Sequence, residues 1–399
     1  MLNRDTYLNE LKKHSGTEFI KIITGVRRSG KSFLLQLYHQ YLRTSGIEEE
    51  QIVYLNFEEY ENADFLDDKV LYEFLKGKRL EQKRQYFLFD EIQDVSNWQR
   101  LITGIRVTFD CEIVITGSNA KMLSGELASS LSGRYVEIRV FPLSFREYVE
   151  WKRTPAFDHR NLPKLFSSYL EYGGFPAVVL ASSETKEAIL EGIKDTVLLN
   201  DIASRGQVRD VPVLTRIIQY LADNVGQLIS CTKISATLTS ANIKASTPTV
   251  IKYIELMEDA FLFYSANRYD IRGREYLRQQ GKYYIVDSGL RHIILKRKQD
   301  NRGAELENIV FIELLRRGYS VDIGKLSSKE IDFIARKMDE VQYIQVALEL
   351  PSDMRETNNL LLVKDNYKKL VITQKMEDRT EVDGIPIINV IDWLMEEGT

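Results

Sequence analysis

The chain lacks most of what cysteine, histidine or membrane chemistry would require. Its 399 residues include two cysteines, Cys111 and Cys231. That is too few for a disulfide framework and fits a reducing compartment, so a cytoplasmic location is expected. The four histidines, His14, His39, His159 and His292, stand far apart, which excludes the close ligand spacing of a zinc site. No apolar run approaches the roughly 20 residues of a membrane-spanning helix, so no membrane partner is expected. The opening segment MLNRDTYLNELKKH is polar and charged, unlike a signal peptide. No charge of one sign dominates: 54 Lys and Arg against 58 Asp and Glu leave a net −4. A global field favouring nucleic acid is therefore absent, although a local patch remains open. Repeats and low-complexity tracts are missing too. The length is too great for one ordinary core and implies two or three domains.

What is present speaks of phosphate. Gly25-Val26-Arg27-Arg28-Ser29-Gly30-Lys31-Ser32 reads G-x-x-x-x-G-K-S, the phosphate-binding loop of nucleotide hydrolases. It lies between an apolar run of strand length, 19–23, and a helical pattern opening at Phe33. Glycines let the backbone curl so that its N–H groups face phosphate oxygens, and the helix dipole adds to that field. Lys31 is placed to reach the β- and γ-phosphates and Ser32 to ligate Mg²⁺. Arg27 and Arg28 read as a solvated loop face, with phosphate contact as the alternative.

Three more strand signals, 51–57, 85–91 and 111–116, alternate with helical patterns. That alternation predicts a parallel sheet with helices on both faces and ligands at the strands' carboxyl ends. Asp90-Glu91 ends the second of these strands, the Walker B arrangement: Asp90 for the Mg²⁺ shell, Glu91 to orient or deprotonate the attacking water. Ser118-Asn119 follows the third. In the AAA-type order that strand lies between the other two, and Asn119 or Ser118 would then contact the γ-phosphate or the water. Arg134, in Ser132-Gly133-Arg134, reads either as a finger for transition-state charge, in cis or from a neighbouring subunit, or as a structural salt bridge. With no N-K-x-D guanine-reading motif, ATP is expected rather than GTP.

The segments ITGVRRSGKS, YFLFDEIQDV, IVITGSNAKML, LSGRYVEIRVFPLSFREYV and EYGGFPAVV resemble a large group of prokaryotic AAA-superfamily P-loop ATPases whose C-terminal domain is of unknown function. The resemblance runs over essentially the whole chain. It implies ATP binding and hydrolysis, with the biological role open. Gly173-Gly174-Phe175-Pro176 matches a signature of that group and reads locally as a tight turn.

Residues 1–155 are thus expected as the ATPase domain, 156–290 as a helical and winged-helix region, and 291–399 as a third domain. In the middle region, helical patterns at 214–221, 230–238 and 247–258 precede two β-like runs, 260–264 and 282–286, with Thr247 as N-cap of the third helix. This order predicts a winged helix-turn-helix. DNA contact would use Lys252 and the wing residues Arg268, Arg272, Arg274 and Arg278, mainly at phosphates. The alternative is a protein-docking surface, favoured by Glu255, Glu258 and Asp259 on the third helix.

The last region carries an amphipathic helix, 303–317, then β-like runs at 319–322, 330–335 and 343–347. That order resembles restriction-endonuclease-like folds. Glu307 and Asp332 match two of that fold's metal-binding carboxylates, but its Glu-x-Lys reads Gln345-Val346-Ala347. With no ammonium to stabilise developing charge there, cleavage activity is not expected, though Lys325 or Lys329 could substitute. The expectation is an ATP-hydrolysing switch that moves a winged helix and a nuclease-like domain. The alternatives are an ATP-gated nuclease and a regulator with little turnover. Homo-oligomerisation is open.

Overall fold

The computed structural model describes residues 4–123, 133–153, 158–296 and 301–396, the side chains of residues 121, 123 and 278–280 excepted. Two compact units result: Met1–Phe141 with Asp259–Phe261, and Pro142–Glu258 with Leu262–Thr399.

The first unit runs α1 (Asp5–Lys13), β1 (Ile20–Thr24), α2 (Lys31–Thr44), β2 (Ile52–Asn56), α3 (Asp68–Gly77), β3 (Gln85–Asp90), α4 (Trp98–Thr108), β4 (Cys111–Gly117) and β5 (Tyr135–Arg139). Its strands form one sheet in the order β2-β3-β4-β1-β5, parallel throughout. Continuous apolar runs become strands here because both faces are covered. Alternate residues feed opposite cores, as the two-residue period requires. Ile22, Phe87, Phe89 and Ile115 join α3 and α4, while Ile23, Leu88 and Val114 join α1 and α2. β4 lies between β1 and β3, the position expected for it. The sequence does not announce a buried ion pair, Lys21 Nζ to Glu112 Oε1 at 3.1 Å, which ties β1 to β4. Glu112 also accepts from the Gly16 amide at 2.7 Å and from the Tyr38 hydroxyl.

The second unit begins with helices α5 (Phe145–Lys152), α6 (Leu162–Tyr172), α7 (Pro176–Leu180) and α8 (Lys186–Thr196), the last continuing into a π-helical stretch, Val197–Ser204. Then come α9 (Val211–Asp223), α10 (Cys231–Ser240), α11 (Thr247–Asp259), β6 (Phe263–Asp270), β7 (Glu275–Ile285), α12 (Ser288–Leu295) and α13 (Arg302–Arg316). It ends with β8 (Ser320–Leu326), β9 (Lys329–Lys337), β10 (Glu340–Ala347), α14 (Arg355–Leu361), β11 (Lys368–Thr373), β12 (Glu381–Val382), β13 (Ile385–Asn389) and α15 (Val390–Met395). Ser144 starts α5 with a capping box shared with Glu147. α11 is capped by Ser246 rather than Thr247: the Ser246 hydroxyl accepts from the Thr249 amide at 3.3 Å.

The three helices and the hairpin expected of a winged helix follow one another here, but the hairpin is not a freestanding ribbon. β6 pairs in parallel with β8 through Arg268, Tyr269 and Asp270. The hairpin is thereby the edge of an eight-stranded sheet, β12-β13-β11-β10-β9-β8-β6-β7. Residues 156–290 and 291–399, expected as separate regions, share this one sheet. The pairing joins residues more than fifty positions apart, which no local pattern encodes.

Candidate active site at the tips of the parallel sheet

β1 ends at Thr24, and the chain turns through the glycine-rich loop into α2. Gly25 has φ +141°, and a Cβ there would lie 2.1 Å from the Val140 carbonyl oxygen, so no other residue fits. Gly30, at φ +100°, caps α2. Lys31 is buried, its ammonium donating to the carbonyl oxygens of Gly25 at 3.1 Å and Val26 at 3.3 Å. It also lies 3.4 Å from Glu91 Oε1. Val26 is fully buried and Phe33 packs on the core, so these two offer the loop only their backbone. Arg27 pairs with Glu58, and Arg28 is exposed at φ +64°.

The neighbouring strands bring the carboxylates to the same edge. Asp90, the last residue of β3, is buried; its Oδ1 accepts from Thr116 Oγ1 at 2.5 Å, and Ser32 bonds it as well. Burial pushes its carboxyl above the usual range, against those two hydrogen bonds and the Lys31 charge. Asp90 Oδ2 is buried with no hydrogen-bond partner among the described residues. An orphaned carboxylate oxygen beside the Ser32 hydroxyl suits a hard cation that takes oxygen ligands, so the residues present fit Mg²⁺. Glu91 sits at φ +54°, a conformation that costs a non-glycine residue about 1–3 kcal/mol and re-aims its side chain. Thr116 holds it there by accepting from the Glu91 amide at 2.9 Å. Glu91 Oε2 accepts from Ser118 Oγ at 3.2 Å and from Gln93. Of the two alternatives at this strand tip, Ser118 is tied to Glu91 by this bond, and Asn119 follows it, half-buried. Thr116 and Gln93 were missed in the sequence. A threonine two residues before Ser118 was the available signal.

Arg134 is not brought to this site. Its carbonyl accepts from the Ile20 amide at 3.1 Å, at the start of β1, whereas the loop leaves from the other end. Five strand residues at about 3.3 Å each put it roughly 15 Å away. Its own chain's loop is therefore out of its reach, and the readings left for Arg134 are action on a neighbouring subunit and a structural salt bridge. Ser132 lies outside the described residues.

A second polar cluster forms in the eight-stranded sheet. Glu307 on α13 and Asp332 on β9 are brought together as expected, but the cation among them is Lys282 of β7. Lys282 is 3 % exposed, with Nζ 3.0 Å from Glu307 Oε1 and 2.7 Å from Glu330 Oε1. Burial alone would lower its pKa; the charges of Glu307, Asp332 and Glu330 more than offset that and hold it above an ordinary lysine. Burial, then the Glu307 charge, pushes Asp332 well above the usual carboxylate range. Gln345 Oε1 accepts from the Asp332 amide at 2.6 Å and its Nε2 donates to Glu356. Lys325 instead faces Asp270 at 3.3 Å. Among the described residues, no group of three or more His, Cys, Asp or Glu is arranged to hold a metal.

The Gly173-Gly174 turn acquires a physical role. The Gly174 amide donates to Asp287 Oδ2 at 2.7 Å and its carbonyl accepts from Leu143 at 2.7 Å. A Cβ on Gly173 would strike the Asp287 carboxylate at 2.0 Å. Asp287 also caps α12 through the Leu290 amide. Burial pushes its carboxyl up to about 6, against those backbone hydrogen bonds. A carboxyl raised in the folded state adds stability that is complete below its unfolded pKa and lost as pH rises through the folded one. Between about pH 4 and 6 its contribution should fall by up to about 3 kcal/mol. Thermal unfolding at pH 5 and 7 should show a smaller pH dependence in Asp287→Asn, which is also less stable overall because its NH2 group must face either the Gly174 or the Leu290 N–H, both donors to the native carboxylate.

The residues expected to touch DNA do not all stand alike. Arg272 and Arg274 are exposed at the β6–β7 turn, Lys252 is exposed on α11 beside Glu255, and Arg268 is half-buried. The Arg278 side chain lies outside the described residues.

A glycine-rich loop between β1 and α2, with Asp90-Glu91 on the strand two places away, defines an AAA-type P-loop domain. The family model for the AAA domain matches residues 17–149, and one for a domain of unknown function (DUF8612) matches 163–301. An uncharacterized protein of Haemophilus influenzae is 54% identical over 397 residues, covering 99% of each chain. The chain belongs to that protein's family. An uncharacterized protein of Methanocaldococcus jannaschii is 29% identical, covering 90% of this chain and 80% of its own. Among solved structures, the Aeropyrum pernix ORC1 protein in complex with DNA matches with a TM-score of 0.37 at 14% identity, over 74% of this chain and 93% of its own. That likeness is too low to carry an argument.

Proposed function

We propose that the protein is an ATP-hydrolysing switch of the AAA type. The observation that carries this reading is the meeting of Lys31, Asp90 and Glu91 at the N-terminus of α2, with Lys31 3.4 Å from Glu91. The amides of residues 25–32 and the Lys31 ammonium hold the phosphates. Mg²⁺, when bound, neutralises charge on the phosphoryl oxygens, and Ser32 with Asp90 would hold it. Glu91 orients water and accepts its proton, and its pairing with Lys31 and Ser118 keeps it in place until nucleotide draws Lys31 away. Asn119 contacts the γ-phosphate or the water, and Arg134 acts on a neighbouring subunit. Residues 142–399 respond to that cycle, the helices α9–α11 and their hairpin forming a winged-helix-like module that contacts DNA phosphates through Arg272 and Arg274.

The nuclease alternative regains an ammonium in Lys282 in place of the lysine missing at Ala347, but it stands second because that ammonium is already paired with Glu307 and Glu330. The deciding measurement is ATP turnover with and without duplex DNA, alongside solution mass with and without nucleotide. Turnover that rises with DNA supports the switch and its partner. Tight ATP binding with no turnover in either condition overturns the hydrolytic reading.

A further inference from the structure

Arg4 is a buried cation outside every motif of the sequence. It precedes α1 in a left-handed conformation, φ +47°, and is 2 % exposed. One guanidinium nitrogen donates to the carbonyl of Ser29, inside the phosphate-binding loop, at 2.7 Å. Another donates to the carbonyl of Phe141 at 2.9 Å. The group also lies over the Tyr7 ring, 4.7 Å from its centroid, and the Tyr7 hydroxyl accepts from the Phe141 amide at 3.3 Å.

We propose that Arg4 is a positioning residue for the phosphate-binding loop and the link through which the loop's state is felt at Phe141. The argument rests on peptide geometry. A trans peptide is planar, so its C=O and N–H point in opposite directions, and no cis peptide occurs among the described residues. Arg4 draws the Ser29 carbonyl to the outside of the loop, which turns the Gly30 N–H toward the inside, where the phosphate of the proposed nucleotide would be held. Without the guanidinium, the peptide between Ser29 and Gly30 is free to flip. At φ +100° Gly30 is the one kind of residue for which such a flip is sterically cheap.

The second half follows from the fork. Arginine presents donors in a fixed planar array, so movement of the Ser29 carbonyl is passed to the Phe141 carbonyl. Phe141 is the last residue of the first compact unit before the chain continues as the second. The strand leading to it is already coupled to the loop: the Val140 amide donates to Thr24 at 2.8 Å, and Gly25 permits contact with the Val140 carbonyl. A lysine would offer a single nitrogen on a flexible stem in place of two donors held in one plane.

This inference rests on the nucleotide-binding reading, and the test separates the two. Arg4→Met keeps the aliphatic stem and loses both donors; Arg4→Lys keeps the charge but replaces the rigid fork with one mobile nitrogen. Binding of a fluorescent ATP analogue is measured with melting of the nucleotide-free protein. Hydrogen exchange of the segment 135–145 is then followed with saturating nucleotide. Arg4→Met should bind the analogue about 10- to 100-fold more weakly, the worth of a hydrogen bond to a charged group, and Arg4→Lys should fall between. In wild type, nucleotide should slow exchange at Val140 and Phe141. In Arg4→Lys that protection should be lost even at saturation, an effect that mere anchoring of α1 would not produce. Wild-type affinity and wild-type protection in Arg4→Lys overturn the proposal even if melting falls. If Arg4→Met does not fold, Arg4→Lys alone decides. If wild type fails to bind the analogue, the nucleotide reading falls and this inference falls with it.

Discussion

Glu91→Gln is expected to bind ATP nearly as wild type does and to turn it over about 10²–10⁴-fold more slowly, the usual worth of a positioned general base. The substitution isolates charge from shape. Glutamine keeps the length and one acceptor oxygen for Ser118, which bonds Glu91 at 3.2 Å. The backbone bond from the Glu91 amide to Thr116 is untouched, so the left-handed geometry that aims the side chain survives. The capacity to take a proton from water and the attraction for the Lys31 ammonium, 3.4 Å away, are lost. Losing the second should favour binding slightly, because Lys31 no longer leaves a carboxylate to reach phosphate. Lys31→Ala gives the opposite pattern: binding itself goes. Initial-rate kinetics with equilibrium nucleotide binding on both variants separates the roles. Normal turnover in Glu91→Gln would falsify the assignment of Glu91 as base.

The two sites were legible in the sequence to different degrees. The loop, Asp90-Glu91 and the place of β4 could be read because each is a local statement, a few residues at the end of an apolar run, and parallel-sheet rules supply the rest. Arg4 could not. Nothing about an arginine before a helix says that it will reach Ser29 and Phe141, at separations of 25 and 137 residues. Thr116 was half legible, as part of a polar strand end. In the second unit, the helix carrying Glu307 and the strand carrying Asp332 were found by periodicity. The sequence offers position 347, Lys325 and Lys329 for a cation between them, whereas it comes from β7. Local pattern places that strand in a separate wing, away from Glu307 and Asp332. The missing fact was the β6–β8 pairing, which only the register of the whole sheet fixes.

That same lysine carries the second large expected effect. Lys282→Met should destabilise the protein by about 3 kcal/mol, the lower end for removing one partner of a buried ion pair. The lower end applies because Glu330 is 32% exposed and can turn to water, while Glu307, at 17%, and Asp332 cannot do so as freely. Methionine fills most of the volume, so the loss reports charge rather than a cavity. With the ammonium gone, the Asp332 carboxyl, already raised by burial and the Glu307 charge, is pushed further up in the folded state. The deficit should then be largest above neutral pH and shrink as pH falls toward 5, because protonation relieves the repulsion. Denaturant unfolding across that range, compared with wild type, measures both size and sign. Adding Mn²⁺ without nucleotide to the variant should recover part of the loss, since a divalent cation can replace the missing charge. Wild type should gain nothing there, its charge being already internal. If wild type instead binds Mn²⁺ at a site abolished by Asp332→Asn and cleaves DNA with it, Lys282 is a working partner of a metal centre and the nuclease alternative regains its place.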